Sequence, residues 1–163
     1  MGVMDFAKKI LSAAGLPGWR EDLRRGGRKL VATNGCFDLL HLGHVTYLQQ
    51  ARGLGDALLV GLTSDAQVRQ LKGPGRPIHR EADRAGVVAA LESVDAVFVF
   101  PELDARHFLE AVRPDIYAKG GDYTLDTINQ DERRLLEKLG VRIVILPAVP
   151  GQSTSATLGR LQC

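Results

Sequence analysis

The sequence predicts an α/β fold, in which five parallel strands form a doubly wound, Rossmann-like sheet with helices on both faces. Short apolar segments alternate with segments of helical periodicity along most of the chain. Residues 57–62 are almost continuously apolar, as expected for a parallel strand that is buried on both faces. Polar, glycine-containing clusters fall after predicted strands, where sheets of this kind bind their ligands. The sequence therefore predicts a ligand site at the carboxyl edge of the sheet.

The predicted elements follow one another with short connections. Strands are expected at residues 29–33, 57–62, 96–100, 116–119 and 142–146. Helices are expected at residues 43–54, 65–71, 80–91, 104–112 and 132–139, with a last helix opening at residue 151. The Gly- and Pro-rich residues 72–77 predict an irregular loop.

The N-terminal residues are expected to form two short helical segments, at residues 4–14 and 19–25, separated by the sequence Gly-Leu-Pro-Gly. We interpret residues 1–28 as an N-terminal helical extension that packs on the core. Residues 29–163 then form one domain, since a chain of 163 residues has the usual size of a single domain.

Composition argues against several classes of function. The net charge of +2 is too small to indicate binding to nucleic acid or to a membrane surface. No apolar stretch approaches the ~20 residues of a membrane-spanning helix, and the N-terminus lacks the apolar core of a signal peptide. Two cysteines form no disulfide framework and fit a reducing compartment, so a cytoplasmic location is expected.

The segment between the first predicted strand and its helix carries the motif N-G-C-F-D, followed by H-L-G-H. A strand, a tight turn and a helix start direct backbone N–H groups and the positive end of a helix dipole toward an anion. His41 and His44 are three residues apart and share one helix face. These features predict a polyphosphate site. A metal site built from Asp38 and the two histidines is the less favoured alternative, and no metal ligand is predicted.

This pair of motifs resembles the HxGH signature of the cytidylyltransferase-like superfamily of nucleotidyltransferases. No G-x-G-x-x-G motif of a dehydrogenase follows the first strand, and no Walker P-loop is present. The resemblance implies catalytic roles for His41, His44 and Lys72. It also implies that Lys72 lies in a loop over the reacting phosphates, and that Arg84 is the helix arginine near them.

Two further segments narrow the resemblance. Residues 113–123, with the sequence K-G-G-D-Y at their end, and the sequence G-Q-S-T-S at residues 151–155 resemble the heptose-phosphate adenylyltransferases. Those enzymes occur alone or as the C-terminal half of a bifunctional kinase/adenylyltransferase. The resemblance implies nucleotide binding by Cys36, Phe37, Gly43, Arg84, Lys119, Gly120, Gly121, Asp122, Gly151, Ser153, Thr154 and Ser155. It implies acceptor binding by Asn34, Gly35, Asp38 and Lys72.

The implied reaction is transfer of AMP from ATP to D-glycero-β-D-manno-heptose 1-phosphate, with Mg²⁺ accompanying the ATP and with ADP-heptose and pyrophosphate as products. Two alternatives stay open from the sequence. One is a cytidylyltransferase that acts on glycerol 3-phosphate or another alcohol phosphate, and the other is a nucleotide-binding module without catalysis. The expected partners are these small molecules, without nucleic acid or membrane, in a homodimer or higher homo-oligomer.

Overall fold

The computed structural model describes residues 5–121 and 123–161, and its centre is one parallel sheet. The strands are β1 (Leu30–Gly35), β2 (Ala57–Thr63), β3 (Ala96–Phe100), β4 (Ile116–Lys119) and β5 (Arg142–Ile145). Their order is β3-β2-β1-β4-β5, and every neighbouring pair is parallel. This arrangement confirms the predicted doubly wound fold. The direction of winding reverses between β1 and β4, so the open crevice of the sheet lies at their carboxyl ends.

Helices cover both faces of the sheet. They are α1 (Leu16–Arg25), α2 (Leu42–Arg52), α3 (Asp65–Lys72), α4 (Glu81–Ala89), α5 (Arg106–Val112), α6 (Gln130–Lys138) and α7 (Thr154–Leu161). One core lies under α2 and α4 and contains Leu48 and Val88. The other lies under α1, α5 and α6 and contains Leu23, Phe108 and Leu136. Because successive strand residues alternate between faces, each strand contributes to both cores.

The N-terminal residues differ from the prediction. Instead of a helix over residues 4–14, a single 3₁₀ turn (Phe6–Lys9) is followed by extended chain at Ile10, which pairs in parallel with Val97 at the edge strand β3. The expected break at residues 15–18 is instead the start of α1. Proline is tolerated in the first turn of a helix because its missing N–H would have no partner there.

Smaller corrections concern the ends of helices. Lys72 is the last residue of α3 rather than part of a loop, because the chain leaves the helix at Gly73, whose φ is +95°. The last helix begins at Thr154 rather than at residue 151. Within the described part of the chain, no helix is long and apolar enough to cross a membrane.

Candidate active site

A cavity of about 830 Å³ opens at the carboxyl ends of β1 and β4, where the winding of the sheet reverses. It collects most of the residues that the sequence predicts for the site. Those that line it are Asn34, Gly35, Cys36, Phe37, His41, Gly43, His44, Lys72, Lys119, Gly120, Gly121, Ser153, Thr154 and Ser155. Segments that lie more than 100 residues apart in the sequence therefore meet in one concave site.

The two histidines stand at the start of α2, where His41 is the N-cap residue. Their rings are stacked, with 3.9 Å between the centroids. The backbone N–H of His41 donates to Nδ1 of His44 at 3.4 Å. A nitrogen that accepts a hydrogen bond carries no proton, so neutral His44 carries its proton on Nε2. Only glycine fits at position 43, because a Cβ there would lie 2.9 Å from the His41 ring.

Both histidines are held in the neutral form. Burial, followed by the charges of His41 and Lys72, lowers the pKa of His44 to about 4. Burial also lowers the pKa of His41. At neutral pH the pair therefore offers N–H donors rather than positive charges. A phosphate that enters the cavity would stabilise the charged form and raise these pKa values.

Two groups suited to phosphate lie near the histidines. Lys72, at the end of α3, lines the same cavity and acts electrostatically on His44. On another wall, Ser153 caps α7 by accepting the backbone N–H of Ala156 at 3.0 Å. The first N–H groups of a helix have no partner within the helix, so the start of α7 at Thr154 and Ser155 presents donors to an anion.

The opposite wall carries a second group of polar side chains. The Tyr117 hydroxyl lies 2.6 Å and the Lys119 ammonium 3.3 Å from Oδ1 of Asn34. Glu132, at the start of α6, accepts the backbone N–H of Ala105 at 2.8 Å. Burial lowers the pKa of Lys119, while burial and the Glu132 carboxylate raise the pKa of Tyr117. This wall combines a cation, a carboxylate and an amide within a largely desolvated site.

Three predicted site residues do not line the cavity. Asp38 is buried, and its carboxylate accepts hydrogen bonds from Nε of Arg76 at 2.7 Å and from the backbone N–H groups of Ile78 at 2.8 Å and His79 at 2.9 Å. Gly151, with φ of +73°, lies just before the lining residues of α7. Asp122 lies outside the described residues.

Arg84 is the third predicted residue that does not line the cavity. Its buried guanidinium donates to the Cys36 carbonyl at 2.6 Å, to Asp65 at 2.7 Å and to the His79 carbonyl at 3.1 Å. All of these acceptors belong to the protein. These contacts give Arg84 a positioning role for the turn after β1, and its expected phosphate contact stays a prediction.

Several lining residues were not predicted, among them Tyr47 and Glu132. Tyr47 packs beneath Gly120, where a Cβ would lie 2.5 Å from its ring. The Tyr47 hydroxyl donates to the Ala118 carbonyl at 2.9 Å and is hydrogen-bonded to Thr33. Tyrosine in a strand or helix is an ordinary core residue, and glutamate is an ordinary residue of a first helical turn. Neither therefore gave a sequence signal for the site.

A parallel doubly wound sheet with a histidine pair and a helix N-terminus at its switch point defines an α/β protein of the nucleotidyltransferase class. The cytidylyltransferase-like family model matches residues 32–161. The chain belongs to this family, as the histidine motif predicted.

The chain is also similar to individual proteins. It is 46% identical over 158 residues to the bifunctional protein HldE of Syntrophotalea carbinolica, covering 97% of this chain and 32% of that protein. It is 49% identical over 144 residues to HldE of Mesorhizobium japonicum, covering 88% of this chain and 28% of that protein. The chain thus spans about a third of the length of these relatives.

A solved structure is similar as well. The crystal structure of the lipopolysaccharide core biosynthesis protein from Thermoplasma volcanium has a TM-score of 0.62 and 32% sequence identity. The match covers 76% of this chain and 98% of that one. The similarity therefore extends over almost the whole of that smaller protein.

Proposed function

We propose that this chain transfers AMP from ATP to a sugar 1-phosphate, D-glycero-β-D-manno-heptose 1-phosphate, and releases ADP-heptose and pyrophosphate. The observation that carries the proposal is the convergence of the neutral histidine pair, Lys72 and the start of α7 on one cavity. The similarity to HldE proteins and to a lipopolysaccharide core biosynthesis protein supports the choice of acceptor.

The triphosphate of ATP binds between α2 and α7 in this proposal. The protonated Nε2 of His44 and the ring of His41 donate to the phosphates, and the N–H groups at Thr154 and Ser155 face the opposite side. Lys72 stands at the end of α3 with a flexible side chain, which suits a charge that follows the transferred phosphoryl group. Gly120 and Gly121 line the part of the cavity that accepts the nucleoside.

The acceptor phosphate is itself an anionic nucleophile, so the reaction requires no general base. One of its oxygens attacks the α-phosphorus of ATP in line with the bond to the β-phosphate. A new P–O bond to the acceptor forms, the bond to the bridging oxygen breaks, and pyrophosphate leaves with that electron pair. The protein contributes positioning and charge stabilisation.

Arg84 prepares a further donor for this step. It binds the Cys36 carbonyl at 2.6 Å. Because the peptide bond is planar and trans, the N–H of Phe37 points away from the carbonyl of Cys36 and from Arg84. With the Cys36 N–H, this group is the backbone donor to charge that develops on the α-phosphate.

Mg²⁺ enters with ATP in this scheme and would neutralise the triphosphate. Among residues 5–121 and 123–161, no group of three or more His, Cys, Asp or Glu side chains is placed to hold a metal ion. In this scheme the ATP phosphates would supply Mg²⁺ ligands, and the protein would contribute hydrogen-bond donors around them. We further propose a cytoplasmic location. We also propose a homodimer or higher homo-oligomer, and light scattering of the purified protein tests this oligomeric state.

The test is pyrophosphate release with Mg²⁺, with ATP and CTP offered separately against heptose 1-phosphate and glycerol 3-phosphate. We expect release only with ATP and the heptose phosphate. Release with CTP and glycerol 3-phosphate would instead assign a cytidylyltransferase. Tight nucleotide binding without release in any mixture would indicate a binding module.

Replacing His44 by Ala should lower kcat by about 100-fold or more, the scale of losing one preorganised donor to developing charge. The control is His107→Ala, because His107 is exposed on α5 and does not line the cavity. Undiminished turnover of His44→Ala would contradict the role of His44, provided that its unfolding temperature matches that of the wild type.

A further inference from the structure

The polar wall formed by Asn34, Lys119, Tyr117 and Glu132 has an unusual set of hydrogen-bond donors and acceptors. Tyr117 belongs to the core under α5 and α6, whereas α2, which carries the histidines, packs on the other face of the sheet. Glu132, Asn34 and Lys119 nevertheless line the same cavity as the histidines. The cavity therefore has a phosphate-binding side and a second side whose ligand the histidine motif does not specify.

The donors and acceptors of this second side can be assigned from Lys119. An ammonium group only donates hydrogen bonds, so the Asn34 atom 3.3 Å from it is the acceptor Oδ1. The Tyr117 hydroxyl lies 2.6 Å from the same oxygen and must donate its single hydrogen to it. The raised pKa of Tyr117 keeps that hydrogen in place.

This assignment leaves one carboxylate oxygen of Glu132 without a donor. Oε1 accepts the N–H of Ala105, but Oε2 lies 3.5 Å from the Tyr117 hydroxyl, whose hydrogen is already committed to Asn34. Glu132 is only 6% exposed, but it lines the cavity, so a hydroxyl group that enters the cavity can supply the missing donor. A buried acceptor without a donor is costly, which makes Oε2 a preformed site for a ligand hydroxyl.

The neighbouring groups complete such a site. Lys119 uses one of its three N–H groups on Asn34, and within the described part of the chain the Asn34 amide nitrogen has no hydrogen bond to the protein. Lys119 also lies 5.1 Å from the centre of the Tyr123 ring, which closes one side. An acceptor, an amide donor and an ammonium group side by side match the alternating oxygens of a polyhydroxylated ligand.

We propose that Glu132 and Asn34 form the subsite for the hydroxyl groups of the acceptor sugar, with Glu132 Oε2 accepting one sugar hydroxyl and Asn34 donating to a neighbouring oxygen. This inference rests on the proposed function and specifies its substrate class, a sugar phosphate with adjacent free hydroxyls. The ribose of ATP carries the same chemistry. We assign the acceptor because Glu132 lies on the sheet face opposite α2, away from the proposed triphosphate site.

The test is Glu132→Gln, measured by calorimetric binding. Glutamine keeps the size of the side chain and an oxygen for the Ala105 N–H, but it replaces the unpaired oxygen by a donor. The matched control is Glu137→Gln on the same helix, where the carboxylate is exposed and pairs with Arg133. The probe is D-glycero-β-D-manno-heptose 1-phosphate, titrated in the presence of a non-hydrolysable ATP analogue, and the analogue is titrated separately.

We expect Glu132→Gln to raise the Kd for the heptose phosphate by about tenfold or more, the scale of a lost hydrogen bond to a charged group. The Kd for the ATP analogue should stay within about twofold, the scatter of a substitution that touches no contact of that ligand. Glu137→Gln should match the wild type in both. A normal Kd for the ATP analogue also shows that the variant is folded.

Other outcomes separate this inference from the transferase assignment. Unchanged sugar-phosphate binding by Glu132→Gln, with an active wild type, would overturn the subsite and leave the reaction intact. Weakened binding of the ATP analogue instead would assign the carboxylate to the ribose and overturn the proposal. Weakened sugar-phosphate binding with an inert wild type would support the subsite while the transferase fails. Absence of sugar-phosphate binding by the wild type would overturn the subsite.

Discussion

At the scale of single residues, the charge state of His44 connects folding with function. A buried imidazolium would be an unpaired cation whenever the cavity is empty, and such a charge is costly. The lowered pKa keeps the ring neutral, while the hydrogen bond from the His41 backbone fixes its proton on Nε2. The site is therefore ready to donate to a phosphate before ligand arrives.

This charge state predicts how stability depends on pH. The pKa of His44 is about 4 in the folded protein and about 6.5 in an unfolded chain. Between these values the unfolded chain binds a proton that the folded protein does not, so the free energy of unfolding should fall as the pH is lowered from about 7 to about 5. His41 acts in the same direction. The free energy of unfolding of His44→Asn, measured by urea unfolding, should fall less steeply over this pH range than that of the wild type.

The control for this measurement is His107→Asn, which changes an exposed histidine that does not line the cavity. It should keep the wild-type slope. Equal slopes for His44→Asn and the wild type would contradict the assigned pKa. The chosen pH range also excludes the titration of Asp38. The pKa of Asp38 is lowered in the folded protein, so its contribution to stability is lost only as the pH falls below about 4.

At the scale of elements, the segment between α3 and α4 is fixed by one carboxylate. Burial alone would raise the pKa of Asp38, but its hydrogen bonds from His79, Ile78 and Arg76 outweigh burial and lower it. The segment connects Lys72 at the end of α3 to α4, where Arg84 holds the Cys36 carbonyl. An ion pair between Arg76 and the buried Asp38 thus links the turn after β1 to the segment that follows Lys72.

Asp38→Asn should lower the free energy of unfolding by about 3 kcal/mol, since it breaks a buried charge pair and leaves Arg76 uncompensated. Turnover should fall as well, because Lys72 loses a fixed neighbour. Asp131→Asn is the control, since its ion pair with Arg134 is exposed and should cost at most about 1 kcal/mol. Urea unfolding and pyrophosphate release measure both effects, and a variant as stable as the wild type would refute the role of Asp38.

At the scale of the whole molecule, α1 is part of the core although the family match begins only at residue 32. Leu16 and Leu23 are buried in the same core as Phe108 of α5 and Leu136 of α6. The buried Arg20 donates to the carbonyls of Val112 at 3.0 Å and Arg113 at 2.9 Å. The boundary at residue 28 stays a prediction, but α1 stabilises the domain that carries the site.

Leu23→Ala should therefore lower the free energy of unfolding by about 2–5 kcal/mol, the usual cost of a cavity in a packed core. The KM for ATP should not change, because Leu23 is on α1, outside the cavity lining. Val87→Ala on α4 is the control, since Val87 is exposed and its loss should cost about 0.5 kcal/mol or less. Equal losses in the two variants would show that α1 is not part of the cooperative core.

The sequence by itself determined the fold class, the five strands, the family and the segments that converge on the cavity. These follow from local information, because hydrophobic periodicity sets the elements and the His41–His44 spacing with its glycine sets the turn. The sequence did not predict that α1 starts at Leu16, because Gly-Leu-Pro-Gly is compatible with either a break or a helix start.

Only the tertiary structure decided what each polar group in the site contacts. Asp38 and Arg84 were predicted to bind ligand, and the structure shows that each is hydrogen-bonded to protein groups distant in sequence. Glu132 gave no signal, yet the fold brings its Oε2 to 3.5 Å from the Tyr117 hydroxyl and leaves that oxygen without a donor. The hydrogen-bond partners of a buried polar group depend on contacts between segments that are distant in sequence. Hydrophobic periodicity and motif spacing do not report those contacts.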